Sequence, residues 1–112
     1  MINRGALILR YKQPAIDWIN SVDPSNDFQI TLEIANEDRT VYLIEDDDAE
    51  DSDRMLKKTF KHFFENELFG WFTEESLWPH NLTYELFRKW FTVECHSMVE
   101  DYGSSELVDE DL

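Results

Sequence analysis

The sequence predicts a single domain of the α/β (α+β) class, in which a small three-stranded sheet packs against four or five helices. Residues 5–11, 40–44 and 92–99 have strand patterns, and the segments between them have helical periodicity. A length of 112 residues with 42% hydrophobic content suits one domain with its own core, despite a net charge of −15. We therefore expect a compact domain over residues 1–102 and a polar tail over residues 103–112.

The N-terminal part of the chain predicts a strand, a helix and a loop. Residues 5–11 form an apolar run without helical period, which is typical of a strand buried on both faces. Pro14 then lies in the first turn of a helix, where its missing N–H is not needed, and Ile16 and Ile19 face the core. Residues 23–27 are rich in turn-forming residues and predict a loop.

Residues 28–36 fit two structures. Apolar residues occupy every second position from 28 to 34, which predicts a strand. Thr31 can equally cap a short helix that runs to Asn36. The sequence leaves this choice open, whereas residues 40–44 are β-branched and apolar and predict a strand.

Residues 52–72 predict the longest helix and the main packing partner of the sheet. Its apolar residues lie on one helical stripe, and four basic residues lie on the opposite side. The stripe consists of Leu56, Phe60, Phe63, Phe64, Leu68, Trp71 and Phe72. A short turn before Pro79, a helix over residues 83–90 and a strand over residues 92–99 complete the prediction.

Acidic residues are concentrated in two runs. Of the 25 Asp and Glu residues, seven lie between Glu45 and Asp53, and six lie between Glu100 and the C-terminus. Such a charge repels nucleic acids and anionic membranes and attracts basic protein surfaces. We therefore expect a protein partner with a basic surface, no nucleic-acid partner and no membrane partner. A homodimer stays open because the aromatic content is high for so small a domain.

The first acidic run is expected to be a solvated loop in front of the long helix. Asp48 or Asp51 can cap that helix, and acids near its first turn complement the helix dipole. The second run belongs to the tail, which we expect to be disordered.

The expected location is the cytoplasm. Cys95 is the only cysteine, so no disulfide can form within the chain, and the apolar stretch at residues 6–9 is too short for a signal peptide.

No motif predicts a catalytic centre, a metal site or a cofactor. His62, His80 and His96 lack metal-ligand spacing, and the first acidic run lacks the Gly and Glu positions of a calcium-binding EF-hand loop. Cys95 and His96 are neighbours on a strand, so their side chains point to opposite faces and cannot form a nucleophile–base pair.

Three hypotheses about function remain. The leading one is a non-enzymatic, acidic protein-binding or regulatory protein. The first alternative is a small enzyme or ligand-binding domain with a pocket that contains His and carboxylate groups. The second alternative is a neutralising protein, of the immunity or DNA-mimic type. The candidate functional residues are Asp46, Asp47 and Asp48 in the acidic run, Trp78 and His80 in a loop, and Glu94 and His96 on the last strand.

Several segments resemble a family of small acidic bacterial proteins of uncharacterised function. They are residues 40–44 (TVYLI), 64–71 (FENELFGW), 75–79 (ESLWP), 87–94 (FRKWFTVE) and 96–99 (HSMV). The resemblance implies a compact α/β domain, a bacterial cytosolic origin and a helix within the ambiguous segment. It implies no activity, cofactor or catalytic residue.

Overall fold

The computed structural model describes residues 1–25 and 27–110 and shows an α+β fold. Three antiparallel strands form one sheet in the order β2–β1–β3. In chain order the elements are β1 (Arg4–Tyr11), α1 (Gln13–Val22), α2 (Leu32–Ala35), β2 (Val41–Glu45), α3 (Asp46–Glu50), α4 (Ser52–Trp71), a 3₁₀ turn (Glu75–Leu77), α5 (Tyr84–Trp90) and β3 (Phe91–His96). The predicted fold class and its three strands are confirmed.

The central strand β1 has one buried face and one partly open face. Leu7 and Leu9 on the inner face are fully buried in the core. On the outer face, Ala6 is buried, Ile8 is half-buried and Arg10 is exposed. The prediction of a strand buried on both faces is therefore right only for the inner face.

The ambiguous segment contains the short helix α2, so the helical alternative is correct. The Thr31 hydroxyl accepts a hydrogen bond from the Ile34 N–H at 3.2 Å, which caps the helix as the sequence allowed. Asn36 then fixes the segment to the end of β1, because its side chain both accepts from the Tyr11 N–H (2.8 Å) and donates to the Tyr11 carbonyl (3.0 Å).

The first acidic run is a helix rather than the predicted loop. Residues 46–50 form α3, which packs on the sheet through Ala49. A Cβ added at Gly5 would lie only 2.4 Å from the Ala49 Cβ, so the missing side chain of Gly5 provides the space for α3. Ala49 is the one small residue among these acids, and its contact with Gly5, far away in the sequence, fixes the position of α3. Asp51 caps α4, as predicted, by accepting from the Arg54 N–H at 3.4 Å.

Helix α4 supplies most of the core opposite the sheet, as its apolar stripe predicted. Leu56, Phe64 and Leu68 are buried, and the other stripe residues are half-buried against the core. Phe64 makes edge-to-face contacts with Phe87 and Phe91 at 5.7 and 5.6 Å between ring centres. Such contacts stabilise the packing beyond the area that they bury.

The C-terminal elements follow the prediction with shorter limits. The Thr83 hydroxyl caps α5 by accepting from the Leu86 N–H at 3.1 Å, and β3 begins directly after α5. The strand ends at residue 96 rather than 99. After the strand, Glu100 forms an ion pair with the N-terminal ammonium at 2.8 Å. Residues 103–110 are exposed and form neither helix nor strand. The last two positions of the predicted tail lie outside the described residues.

Candidate functional site

Among the described residues, the most deeply buried charged group is Glu67, on the inner side of α4. Its carboxylate accepts hydrogen bonds from the Tyr11 hydroxyl (2.8 Å), from the Tyr42 hydroxyl and from the Arg39 guanidinium. The Arg39 and Glu67 side chains are only 10% and 4% exposed. Arg39 also donates to the Leu9 carbonyl at 3.0 Å. The network therefore joins β1, β2, the segment before β2 and α4.

The two tyrosines of this network act as hydrogen-bond donors. Burial, together with the neighbouring Glu67 carboxylate, raises the pKa of both Tyr11 and Tyr42 above the ordinary value. Tyr11 in turn accepts from the Trp71 indole N–H at 2.7 Å, and Tyr42 accepts from the Asn66 amide at 2.9 Å. Phenols that keep their protons are suited to holding a carboxylate in place rather than to acid–base catalysis at neutral pH.

The Glu67 network was missed in the sequence, although a signal was present. Glu67 lies four residues after Phe63 and four before Trp71, so a carboxylate occupies the apolar stripe of α4. A buried carboxylate requires partners, and these come from positions 25 to 56 residues away. A shallow cavity of about 320 Å³ opens beside the network. Because the hydrogen-bonding groups of Glu67 and Arg39 are used internally, we assign the network a structural role.

Helix α3 presents the acids of the first run to solvent. Asp46, Asp47 and Glu50 are exposed, and Asp48 is half-buried. Across residues 1–25 and 27–110, no Lys or Arg lies within ion-pair distance of these four carboxylates. They form an acidic patch without ion pairs, although Arg54 and Lys58 line an open pocket together with Asp47 and Asp48. The contact between Ala49 and Gly5 fixes the position of the patch.

An open groove lies beside this acidic patch, between the edge strand β2 and helix α4. It has a volume of about 340 Å³, and its formally charged lining groups are the carboxylates of Glu45 and Asp48. The apolar part of its lining is Leu43, Ile44, Met55 and Phe63. The site thus combines an apolar floor, an acidic rim and the free edge of a strand. We define these six residues, together with Thr59 and His62, as the β2 groove.

Glu94 and His96 are brought together, but not in a pocket. They lie on the outer face of β3, where the Glu94 carboxylate accepts from Arg10 at 3.1 Å and contacts the His96 ring at 3.2 Å. The hydrogen bond from Arg10, and then that from His96, lowers the pKa of Glu94. The His96 side chain is 59% exposed. This open, solvated pair does not form the concave site that the enzyme hypothesis requires.

Trp78 and His80 occupy different environments from each other. Trp78 is buried in the core, and its indole N–H donates to the Phe72 carbonyl at 2.8 Å. It therefore has a packing role and offers little surface to a partner. His80 is exposed, and among the described residues it makes neither a hydrogen bond nor an ion pair. No contact joins His80 to Glu94 or His96 within the part of the chain that is described.

Metal binding and membrane crossing find no support in the described residues. Nowhere in residues 1–25 and 27–110 do three His, Cys, Asp or Glu side chains gather in a way that could hold a metal ion. Over the same ranges, none of the helices has the length and apolarity that a bilayer span requires. Cys95 is half-buried beside α3, where burial raises the pKa of its thiol, and its Sγ lies 3.7 Å from the Ala49 carbonyl.

Comparison with known proteins adds no relative: no family model, no curated protein and no solved structure matches this chain. The resemblance to a bacterial family therefore stays a prediction. The function has to be inferred from the chain's own residues.

Proposed function

We propose that this chain is a non-enzymatic protein-binding or regulatory protein whose acidic surface binds a basic protein. The supporting observation is the acidic patch on α3, where Asp46, Asp47 and Asp48 form no ion pair with any Lys or Arg of the described residues. Such a patch attracts a basic surface over a distance of about 10 Å at 0.1 M salt. A cytoplasmic location in a bacterium is part of this proposal.

The position of the patch distinguishes it from acids that serve only for solubility. Acids scattered over a surface keep a protein soluble without forming a site. Here the acids lie on a helix that is anchored to the sheet, and Asp48 also lines the β2 groove. Charge and apolar surface therefore meet in one place, which is typical of a protein interface with an apolar centre and a polar rim.

The experiment is affinity capture from a bacterial lysate with three forms of the protein, at low salt and at 1 M salt. The test variant is Asp46→Asn/Asp47→Asn/Asp48→Asn. The control is Glu74→Gln/Glu75→Gln/Glu85→Gln, which removes three exposed charges elsewhere on the surface.

We expect basic proteins to be retained by the wild type and by the control at low salt, and to be lost with the test variant and at high salt. The proposal is contradicted if the same proteins are retained at 1 M salt and also by the test variant. The absence of any retained protein at low salt also contradicts it.

A further inference from the structure

Strand β2 has an unprotected edge. It is the outer strand of the sheet, and its pairing with β1 runs without a bulge from Glu45 to Val41. Nothing in the described chain forms a backbone hydrogen bond to its far side. Val41 and Leu43 are 54% and 44% exposed. Free strand edges are usually blocked by charged side chains, Pro or a bulge. The described β2 has neither Pro nor a bulge, and its one charged residue, Glu45, lies at the end of the strand and pairs with Arg4 at 3.9 Å.

The opposite edge strand differs in this respect. On β3 the outward side chains include Glu94 and His96, which are joined to each other and to Arg10. Charged groups on an edge strand discourage further pairing. Of the two edges, β2 is therefore the one suited to accept another strand.

The β2 groove lies along this edge and can receive side chains from an added strand. In an extended segment alternate side chains point to the same side. Side chains on the groove side would then lie over Met55 and Phe63 and beside Asp48. Those between them would lie on the outer face, beside Val41, Leu43 and Glu45. Peptide recognition by strand addition works in this way, with affinity from backbone hydrogen bonds and specificity from pockets for alternate side chains.

The charge of the rim indicates which segment fits. Glu45 and Asp48 line the groove, and the other α3 acids continue beyond it. Because these acids lie at the Glu45 end of β2, Lys and Arg residues at that end of the incoming segment would neutralise them. A second copy of this chain is a poorer occupant, because its own β2 segment, Val41–Glu45, carries one acid and no base.

We propose that the β2 groove binds an extended segment of a partner protein as a fourth strand, and that this segment is apolar and carries Lys or Arg at the end that lies beside Glu45 and Asp48. This inference rests on the proposed function and assigns it a binding mode. The occupant is a protein segment rather than a small molecule, because the groove is open along a strand that has free backbone groups.

The test uses a library of seven-residue peptides of Val, Ile, Leu or Phe in which the first two or the last two positions are Lys or Arg. We expect the immobilised protein to retain members of the library, and fluorescence anisotropy then gives their affinity. Each retained peptide is also made in two N-methylated forms, each methylated at every second amide. The two forms have the same charge and side chains, but only one loses the N–H groups that face β2.

Strand addition predicts that one methylated form binds at least 10-fold more weakly and that the other loses less than 3-fold. Leu43→Lys, which adds a charge to the edge, should weaken binding at least 10-fold. The matched control is Leu77→Lys, which adds the same charge at a residue of similar exposure outside the groove (40% against 44%) and should change binding less than 2-fold.

The outcomes separate this inference from the proposed function. If peptides bind but both methylated forms and both Lys variants behave alike, binding is by charge alone, and strand addition is overturned while the proposed function stands. If no peptide is retained, strand addition is overturned, and the lysate experiment decides the proposed function independently. If wild type sediments as a dimer that Leu43→Lys dissociates, the occupant is a second copy and the inference is overturned.

Discussion

Replacing Arg39 by Met should be among the most damaging single changes to the fold. The substitution keeps most of the side-chain volume but leaves the Glu67 carboxylate, only 4% exposed, without its counter-charge. It also removes the donors to the carbonyls of Leu9 and Ala35. Breaking one partner of a buried pair costs about 3–5 kcal/mol, from a total stability of about 5–15 kcal/mol for a domain of this kind.

The measurement is urea unfolding followed by tryptophan fluorescence. Trp71 is a natural reporter, because its indole N–H donates to Tyr11 within the network. With a slope of about 2 kcal/mol per molar urea, the midpoint should fall by about 2 M. The matched control is Arg88→Met, which breaks an exposed ion pair with Asp53 (3.3 Å) and should cost at most about 1 kcal/mol.

A double-mutant cycle tests whether the loss comes from the pair itself. Glu67→Gln removes the charge but keeps the shape, so Arg39→Met should cost much less in that background, with a coupling of about 1–3 kcal/mol. The reasoning is refuted if Arg39→Met is no more costly than Arg88→Met. It is also refuted if the double variant loses as much unfolding free energy as the sum of the losses in Arg39→Met and Glu67→Gln.

Two further predictions concern a glycine contact and a pH dependence. Gly5→Ala should destabilise the protein by about 1–3 kcal/mol, because the new methyl group collides with Ala49. By contrast, Gly70→Ala should stabilise it by about 0.5–1 kcal/mol, because Gly70 lies in α4 with open space at its Cβ; urea midpoints that move in the same direction for both variants contradict this contrast. Because folding raises the pKa of Tyr11 and Tyr42 above the ordinary value of 10.0, their stabilising contribution is complete below pH 10 and is lost as the pH rises further. Unfolding at pH 9 and pH 11 should show this loss, and a Tyr42→Phe variant that loses just as much as wild type would contradict the role assigned to its hydroxyl.

Much of the fold was predictable because the signals are local. The stripe on α4 follows from helical spacing alone, and the cap at Thr31 needs only a hydroxyl three residues before a free N–H. The elements that were wrong or missed depend on distant contacts. Helix α3 is stable against the sheet because Gly5 leaves room for Ala49, which no reading of the acidic run could reveal.

The candidate site was predictable only in part. The acids at positions 46–48 were identified from charge, but the groove beside them requires knowing that β2 is an edge strand next to α4. Trp78 was selected as an aromatic residue beside polar groups, and the structure gives it a core position with its N–H bonded to Phe72. Strand order and burial are properties of the whole chain, so a local pattern cannot supply them.

The sheet order also determines when the chain can fold during synthesis. The first strand to be made, β1, is the central one, and its pairing with β3 joins Tyr11 to Phe91, about 80 positions later. At about 5–20 residues per second the ribosome needs roughly 4–16 s to make that interval. During this time the apolar strand β1 has at most one of its two neighbours. The nascent chain therefore has a window in which aggregation or chaperone binding competes with folding, and that window closes only when the last strand emerges.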